Sequence, residues 1–154
     1  MRVLFVCLGN ICRSPTAEGV LRQKLRDAGL AERIEVASAG TGGWHAGEAP
    51  DVRSQRAAKR RGYDLSAQRA QQVSAADFNR YDLIMAMDKS NLRDLSALQP
   101  AGAKAELDLF LRRYAAVKDE VPDPYYDGEQ GFEEVLDLVE RACDLLVIEL
   151  KGRL

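Results

Sequence analysis

Short unbroken apolar runs alternate along the chain with stretches in which apolar residues recur every three or four positions. The first run, Val3–Val6 in MRVLFVC, is rich in β-branched and aromatic residues, which marks a strand covered on both faces, predicted over Arg2–Val6. After it, Ala17, Val20, Leu21, Leu25 and Ala28 share one helical face, and Gly29 stops that helix. Ser14 reads as its cap and Pro15 as its first residue. Ile34–Ala39 is predicted as a second strand, ended by Gly40 and followed by the loop GTGGWHAGEAP over 40–50. Helices are expected over Asp51–Arg61, closed by Gly62, and over Ser74–Arg80. Leu83–Met87 reads as a third buried strand, Asp88 as the cap of a helix over 89–98, and Ala105–Leu109 as a fourth strand. Residues 119–131, which carry Pro122, Pro124, Gly128 and Gly131, read as loop. The last helix has a continuous stripe: Phe132, Val135, Leu136, Val139, Cys143, Leu146 and Leu150.

Strands alternating with helices predict an α/β fold, a four-stranded parallel sheet flanked by helices on both faces in a doubly wound arrangement. The 154 residues fit one domain spanning 1–154. In such sheets ligands bind beyond the carboxyl ends of the strands. The segment CLGNICRS occupies that end of strand one.

Composition narrows the function classes. A 46% apolar and 30% charged chain is an ordinary soluble globule. A net charge of −2 argues against a general nucleic-acid or anionic-membrane surface, though not against a local basic pocket. Three cysteines, two of them close together, do not make a secreted disulfide framework. No apolar stretch reaches the ~18 residues of a membrane span, and the N-terminal run is too short for a signal-peptide core. The expectation is a cytoplasmic protein without membrane insertion.

Five residues separate Cys7 from Arg13. A loop of this length can curl so that its backbone N–H groups converge on an anion, with the positive end of the next helix behind them. Gly9 and Asn10 tolerate the positive φ that such a curl requires. Arg13 offers a planar fork for two phosphate oxygens. The same donors, with the Ser14 hydroxyl, stabilise a thiolate at Cys7 beneath a bound tetrahedral oxyanion, which suits attack on phosphorus. The bland alternative is a core cysteine beside a solvated arginine. A leaving aryl oxide also requires a proton. His45, the only histidine, sits in a Gly-rich loop and is a weak candidate. Asp123 in VPDPYYDG is held between two prolines beside Tyr125 and Tyr126, whose rings can line an aromatic slot, and burial near those rings would favour its protonated form. The same residues read equally well as a turn with surface tyrosines.

VCLGNICRSP together with DPYY resembles the low-molecular-weight protein tyrosine phosphatases, and SAGT, Trp44 and MDKSNLRDL agree with that resemblance. It covers essentially the whole chain and implies a phosphotyrosine phosphatase I-like fold and metal-independent hydrolysis of phosphotyrosine, with no cofactor. Carried over by motif position, Cys7 is the nucleophile, Arg13 the phosphate clamp, and Asp123 the general acid and then the base. Leu8, Gly9, Asn10, Ile11, Cys12 and Ser14 form the phosphate-binding loop, with Asn10, Ser14 and Ser38 fixing it by hydrogen bonds. Leu8, Ile11, Trp44, Tyr125 and Tyr126 shape the slot. The implied partner is a phosphotyrosine-containing protein, in bacterial relatives an autophosphorylated tyrosine kinase.

Two departures stand out. Many relatives carry a histidine shortly after the serine of a segment like GYDLS; here Ala67, Gln68 and Arg69 follow Ser66, so Gln68 is the candidate substitute donor toward Asn10 and Ser38. Relatives specialised for phosphoarginine carry threonine at the place of Ile11, and a fully apolar Ile11 favours a flat ring. Cys12, inside the loop, reads either as a filler or as a redox partner that captures oxidised Cys7 in a disulfide. Cys143 reads as core. The rival functions are an arsenate reductase, which requires relay cysteines that residues 80–90 lack, and a non-catalytic phosphotyrosine-binding module, which has no use for Cys7 and Asp123 together.

Overall fold

Four strands, β1 (Arg2–Cys7), β2 (Glu35–Gly40), β3 (Leu83–Ala86) and β4 (Glu106–Leu109), form one parallel sheet in the order β2-β1-β3-β4. The computed structural model describes residues 1–114 and 116–154. Among the described residues six helices accompany the sheet: α1 (Arg13–Asp27), α2 (Val52–Arg60), α3 (Asp77–Arg80), α4 (Lys89–Leu98), α5 (Phe110–Arg113) and α6 (Gly128–Gly152).

The period-two alternation of β1 sorts the core into two layers. Val3 and Phe5 join the layer built by α1, α2, α5 and α6, where Leu21, Ala57, Phe110, Val139 and Cys143 are buried. Leu4 and Val6 face the opposite layer, with Phe78 of α3 and Leu95 of α4. This is the α/β sheet covered on both faces that the alternating pattern predicts. Because the chain passes from β1 outward to β2 and then crosses to β3, the loops after β1 and β3 diverge at the centre of the sheet, where such folds bind ligands.

Several predicted boundaries shift, among them that of α3, which begins at Asp77 and not at Ser74, whose N–H donates to the Asp77 carboxylate at 2.9 Å outside the helix. Ser14 does not cap α1. The helix begins at Arg13, Cys12 stands at its cap position with no side-chain bond, and Ser14 is the second helical residue, turned toward Cys7. Pro15 is therefore the third residue, still within the first turn, where a missing N–H costs nothing. Phe110–Arg113, directly after β4, forms a helical turn that the pattern did not mark. Residues 128–131 are not loop: α6 starts at Gly128, whose φ of +67° carries the chain from the proline segment into the helix. Asp88 does cap α4, accepting from the Asn91 N–H at 2.7 Å in a reciprocal capping box.

Past the end of α2, Arg61 pairs with Glu133, Asp137 and Glu140 of α6, and the Tyr63 hydroxyl donates to Glu140 at 2.6 Å.

Candidate active site

Cys7 closes β1 and is buried, with the loop curling back over its sulfur. Asn10 takes φ +57°, the left-handed conformation expected there, and its N–H points at Cys7 Sγ from 3.2 Å. Ser14 Oγ lies 3.0 Å from the same sulfur. The Asn10 amide holds the curl in three directions. Its Oδ1 accepts from the Gln71 N–H at 3.0 Å, and its Nδ2 donates to Ser14 Oγ at 2.8 Å and Ser38 Oγ at 2.9 Å. Ser38 reaches the site because β2 runs beside β1 with Ser38 opposite Phe5. The end of β2 comes so close to the loop that a Cβ on Gly40 would sit 2.7 Å from the Leu8 carbonyl oxygen, so only glycine fits.

Arg13 enters from the start of α1 and is almost wholly buried. Its Nη1 donates to Asp88 Oδ2 at 2.7 Å and to the Val121 carbonyl at 3.2 Å. Burial works against its charge, but Cys7 and the hydrogen-bonded Asp88 carboxylate outweigh it and hold the guanidinium above its ordinary range. Among the described residues no protein acceptor takes Nε or Nη2, which leaves that edge of the fork for an anion.

A cleft of about 350 Å³ opens above this loop. Cys7, Leu8, Gly9, Ile11, Cys12 and Arg13 line its floor, and Trp44, His45, Asp123, Tyr125 and Tyr126 its walls. Trp44 is 67% and Tyr126 91% exposed, an unusual state for large aromatic rings unless a ligand covers them. Tyr125 and Tyr126 pack edge to face at 4.9 Å. Arg53 of α2 holds this wall, donating to the Tyr125 carbonyl at 2.9 Å while its guanidinium lies 5.0 Å from the Tyr125 ring and 4.8 Å from that of Phe132.

Asp123 stands at the cleft but is exposed, not buried against the tyrosine rings as expected. The rings pack edge to face against each other, and the carboxylate instead accepts from the Tyr125 N–H at 3.1 Å in a tight turn. His45 sits at the rim, its Nδ1 2.8 Å from Glu48. Cys12 is buried beneath the loop, and burial pushes its thiol up to about 12; the Ser54 hydroxyl opposes this, while the charges of Asp51, Cys7 and Asp123 add to it.

Gln68 does not take the place of the missing histidine. Its Nε2 donates to the Pro15 carbonyl at 3.0 Å, and neither Asn10 nor Ser38 bonds to it. The network ends instead on Glu18, a buried carboxylate one turn beyond Ser14 that accepts from Ser38 Oγ at 2.7 Å and pairs with Arg22 at 2.8 Å. Glu18, Arg53 and the pairing role of Asp88 were not read from the sequence. An acid inside the otherwise small and apolar start of an amphipathic helix was the available signal for Glu18. Among the described residues no three His, Cys, Asp or Glu side chains are grouped to hold a metal ion, and no helix is long and apolar enough to cross a membrane.

The family model for low molecular weight phosphotyrosine protein phosphatase matches residues 2–153. A low molecular weight protein-tyrosine-phosphatase of Streptomyces coelicolor is 48% identical over 154 residues, covering 97% of this chain and 93% of the relative. The crystal structure of a protein tyrosine phosphatase from Entamoeba histolytica with Hepes in its active site superposes with a TM-score of 0.94 at 40% identity, covering 100% of this chain and 99% of that one. A Drosophila arginine phosphatase shares the fold at a TM-score of 0.91 and 31% identity, covering 98% of each chain.

Proposed function

Because the chain belongs to the low molecular weight phosphotyrosine protein phosphatase family and is a protein-tyrosine phosphatase acting on phosphotyrosine-containing proteins, we propose that Cys7 is its nucleophile, Arg13 its phosphate clamp and Asp123 its proton carrier. The carrying observation is the Cys7 sulfur held between the Asn10 N–H and the Ser14 hydroxyl beside the buried, cationic Arg13.

In the first step the Cys7 thiolate attacks phosphorus and the bond to the tyrosine oxygen breaks, giving a phosphocysteine. The Asp123 carboxyl gives its proton to the departing phenolate. In the second, the Asp123 carboxylate takes a proton from water as the water oxygen attacks phosphorus, and the thiolate leaves with release of orthophosphate. Loop N–H groups and the free Nε–Nη2 edge of Arg13 hold the phosphoryl oxygens throughout. Ser14 steadies the sulfur both as nucleophile and as leaving group. Leu8, Ile11, Trp44, Tyr125 and Tyr126 clasp the ring, which covers Asp123 and supplies the burial that the free protein lacks. The apolar Ile11 supports an aryl group over a guanidinium, the group expected of an arginine phosphatase substrate.

The remaining elements of this reading are one domain over 1–154, a cytoplasmic setting, no nucleic-acid partner, and an autophosphorylated bacterial tyrosine kinase as one substrate. Cys12 is proposed as a redox partner: peroxide oxidises the Cys7 thiolate to a sulfenic acid, and the Cys12 thiol displaces water from it to form a disulfide. Disulfide mapping after mild peroxide decides this; overoxidised Cys7 beside free Cys12 rejects it. The catalytic assignment is tested by p-nitrophenyl phosphate turnover in EDTA with Cys7→Ser and Asp123→Asn beside the native protein. The serine variant should be inactive, and retained turnover refutes the nucleophile.

A further inference from the structure

The hydrogen bonds around Cys7 have a direction, and it can be followed from end to end. The Gln71 N–H donates to Asn10 Oδ1, which fixes the amide so that both Nδ2 protons point onward. One goes to Ser14 Oγ and the other to Ser38 Oγ. Each hydroxyl thereby accepts, and its single proton is left to donate. Ser14 Oγ lies 3.0 Å from Cys7 Sγ and 3.4 Å from the Ala39 carbonyl, and a thiolate at Cys7 is the nearer and stronger acceptor for its proton. Ser38 turns its own to Glu18 Oε1 at 2.7 Å. The second Glu18 oxygen is held at 2.8 Å by Arg22, whose guanidinium also donates to the Val36 carbonyl of β2. Glu18, Ser38, Asn10 and Ser14 are all buried, so these protons have few alternatives in water.

We propose that Glu18 is a positioning residue for the phosphatase reaction: it takes the Ser38 proton, keeps Ser38 as the acceptor that holds Asn10, and so keeps the Ser14 hydroxyl aimed at the Cys7 sulfur. This inference rests on Cys7 as the nucleophile and identifies what orients it. Without the carboxylate, the Ser38 hydroxyl has a buried proton and no acceptor. It then competes for the Asn10 amide, and the loop loses one of its three fixed directions. Glu18 touches neither substrate nor sulfur. Its effect should therefore fall on the chemical step rather than on aryl phosphate binding. Among the described residues no other side chain accepts the Ser38 proton, and Gln68 is turned to the Pro15 carbonyl.

The test is a double-mutant cycle on the intact protein with p-nitrophenyl phosphate, comparing Glu18→Ala, Ser38→Ala and both together, with Glu18→Gln as the conservative variant. Glu18→Ala should lower kcat about tenfold with KM changed less than about twofold, and should slow iodoacetamide capture of Cys7 at neutral pH. The double variant should lose no more than the worse single one, because both changes cut the same bond. Glu18→Gln keeps an amide oxygen for Ser38 and should recover most of kcat. Losses that multiply in the double variant, or a Glu18→Ala protein with native kcat, overturn the proposal. If Glu18→Ala does not fold, Glu18→Gln and Ser38→Ala decide: a Gln variant as impaired as Ser38→Ala refutes it. An inactive Cys7→Ser with normal Glu18 variants would leave the nucleophile intact and remove only this role.

Discussion

Asp88 holds two jobs that a pair of substitutions can separate. One oxygen caps α4 through the Asn91 N–H and the other pairs with Arg13 at 2.7 Å. Asp88→Asn keeps a good capping group and removes the charge, whereas Asp88→Ala removes both. Deleting one partner of a fully buried ion pair costs about 3–5 kcal/mol. Here the Asp88 side chain is 21% exposed, and Arg13 retains the Val121 carbonyl and the Coulombic attraction of Cys7, so about 1–2 kcal/mol is expected for Asn. Loss of the cap adds about 1 kcal/mol for Ala. Urea unfolding followed by circular dichroism should separate the two variants by that cap increment. Steady-state kinetics should not: both should lose about tenfold in kcat/KM, because each removes the shorter, charged bond to Nη1 and leaves only the Val121 carbonyl to keep the guanidinium aimed at the anion. An Asn variant with native kinetics, or one as unstable as Ala, would refute the division of labour.

Three further outcomes follow from the same contacts. Folded Cys12 keeps its proton up to about pH 12, whereas the unfolded thiol loses it near its ordinary value of 9.0, so the native state binds more protons between those values and stability falls as pH rises through that window. Cys12→Ala should flatten the fall measured by urea unfolding from pH 9 to 11, by up to about 1.4 kcal/mol per pH unit; an unchanged slope contradicts the burial assigned to it. Arg61→Ala should remove the tie to Glu133, Asp137 and Glu140 and lower the melting temperature by about 3–6 °C, with kcat within twofold of native, as differential scanning calorimetry and kinetics would show. Arg53→Ala should raise KM for p-nitrophenyl phosphate about threefold with little change in kcat, since the Tyr125 wall loses its support; an unchanged KM removes Arg53 from the slot.

Much of the fold was legible because buried parallel strands leave continuous apolar runs and the final helix leaves a clean stripe. The turn of α5 was not, since four residues straight after a strand carry no periodicity of their own. The start of α6 was hidden by Gly128 and Gly131, which read as loop formers, although Gly131 serves the first turn of the helix itself: a Cβ there would lie 2.7 Å from Asp127 Cβ. Ser14-Pro15 signals a helix start correctly, yet the serine is drawn away from capping by a stronger local demand, the Cys7 sulfur. The Cys7–Arg13 loop was readable from its spacing and its place between a strand and a helix because its members are close in sequence. Glu18 with Ser38, and Arg13 with Asp88, are joined only by the sheet order, and no local pattern announces a pair that the topology brings together.

The most direct test of Cys7 as the covalent nucleophile is a rapid acid quench of Asp123→Asn turning over p-nitrophenyl phosphate, followed by peptide mass mapping. That substrate's good leaving group allows the first step without an acid, while the second lacks its base, so the intermediate should accumulate with one phosphoryl group on the Cys7 peptide. An unmodified Cys7 during turnover, or a phosphoryl group on any other residue, would contradict it.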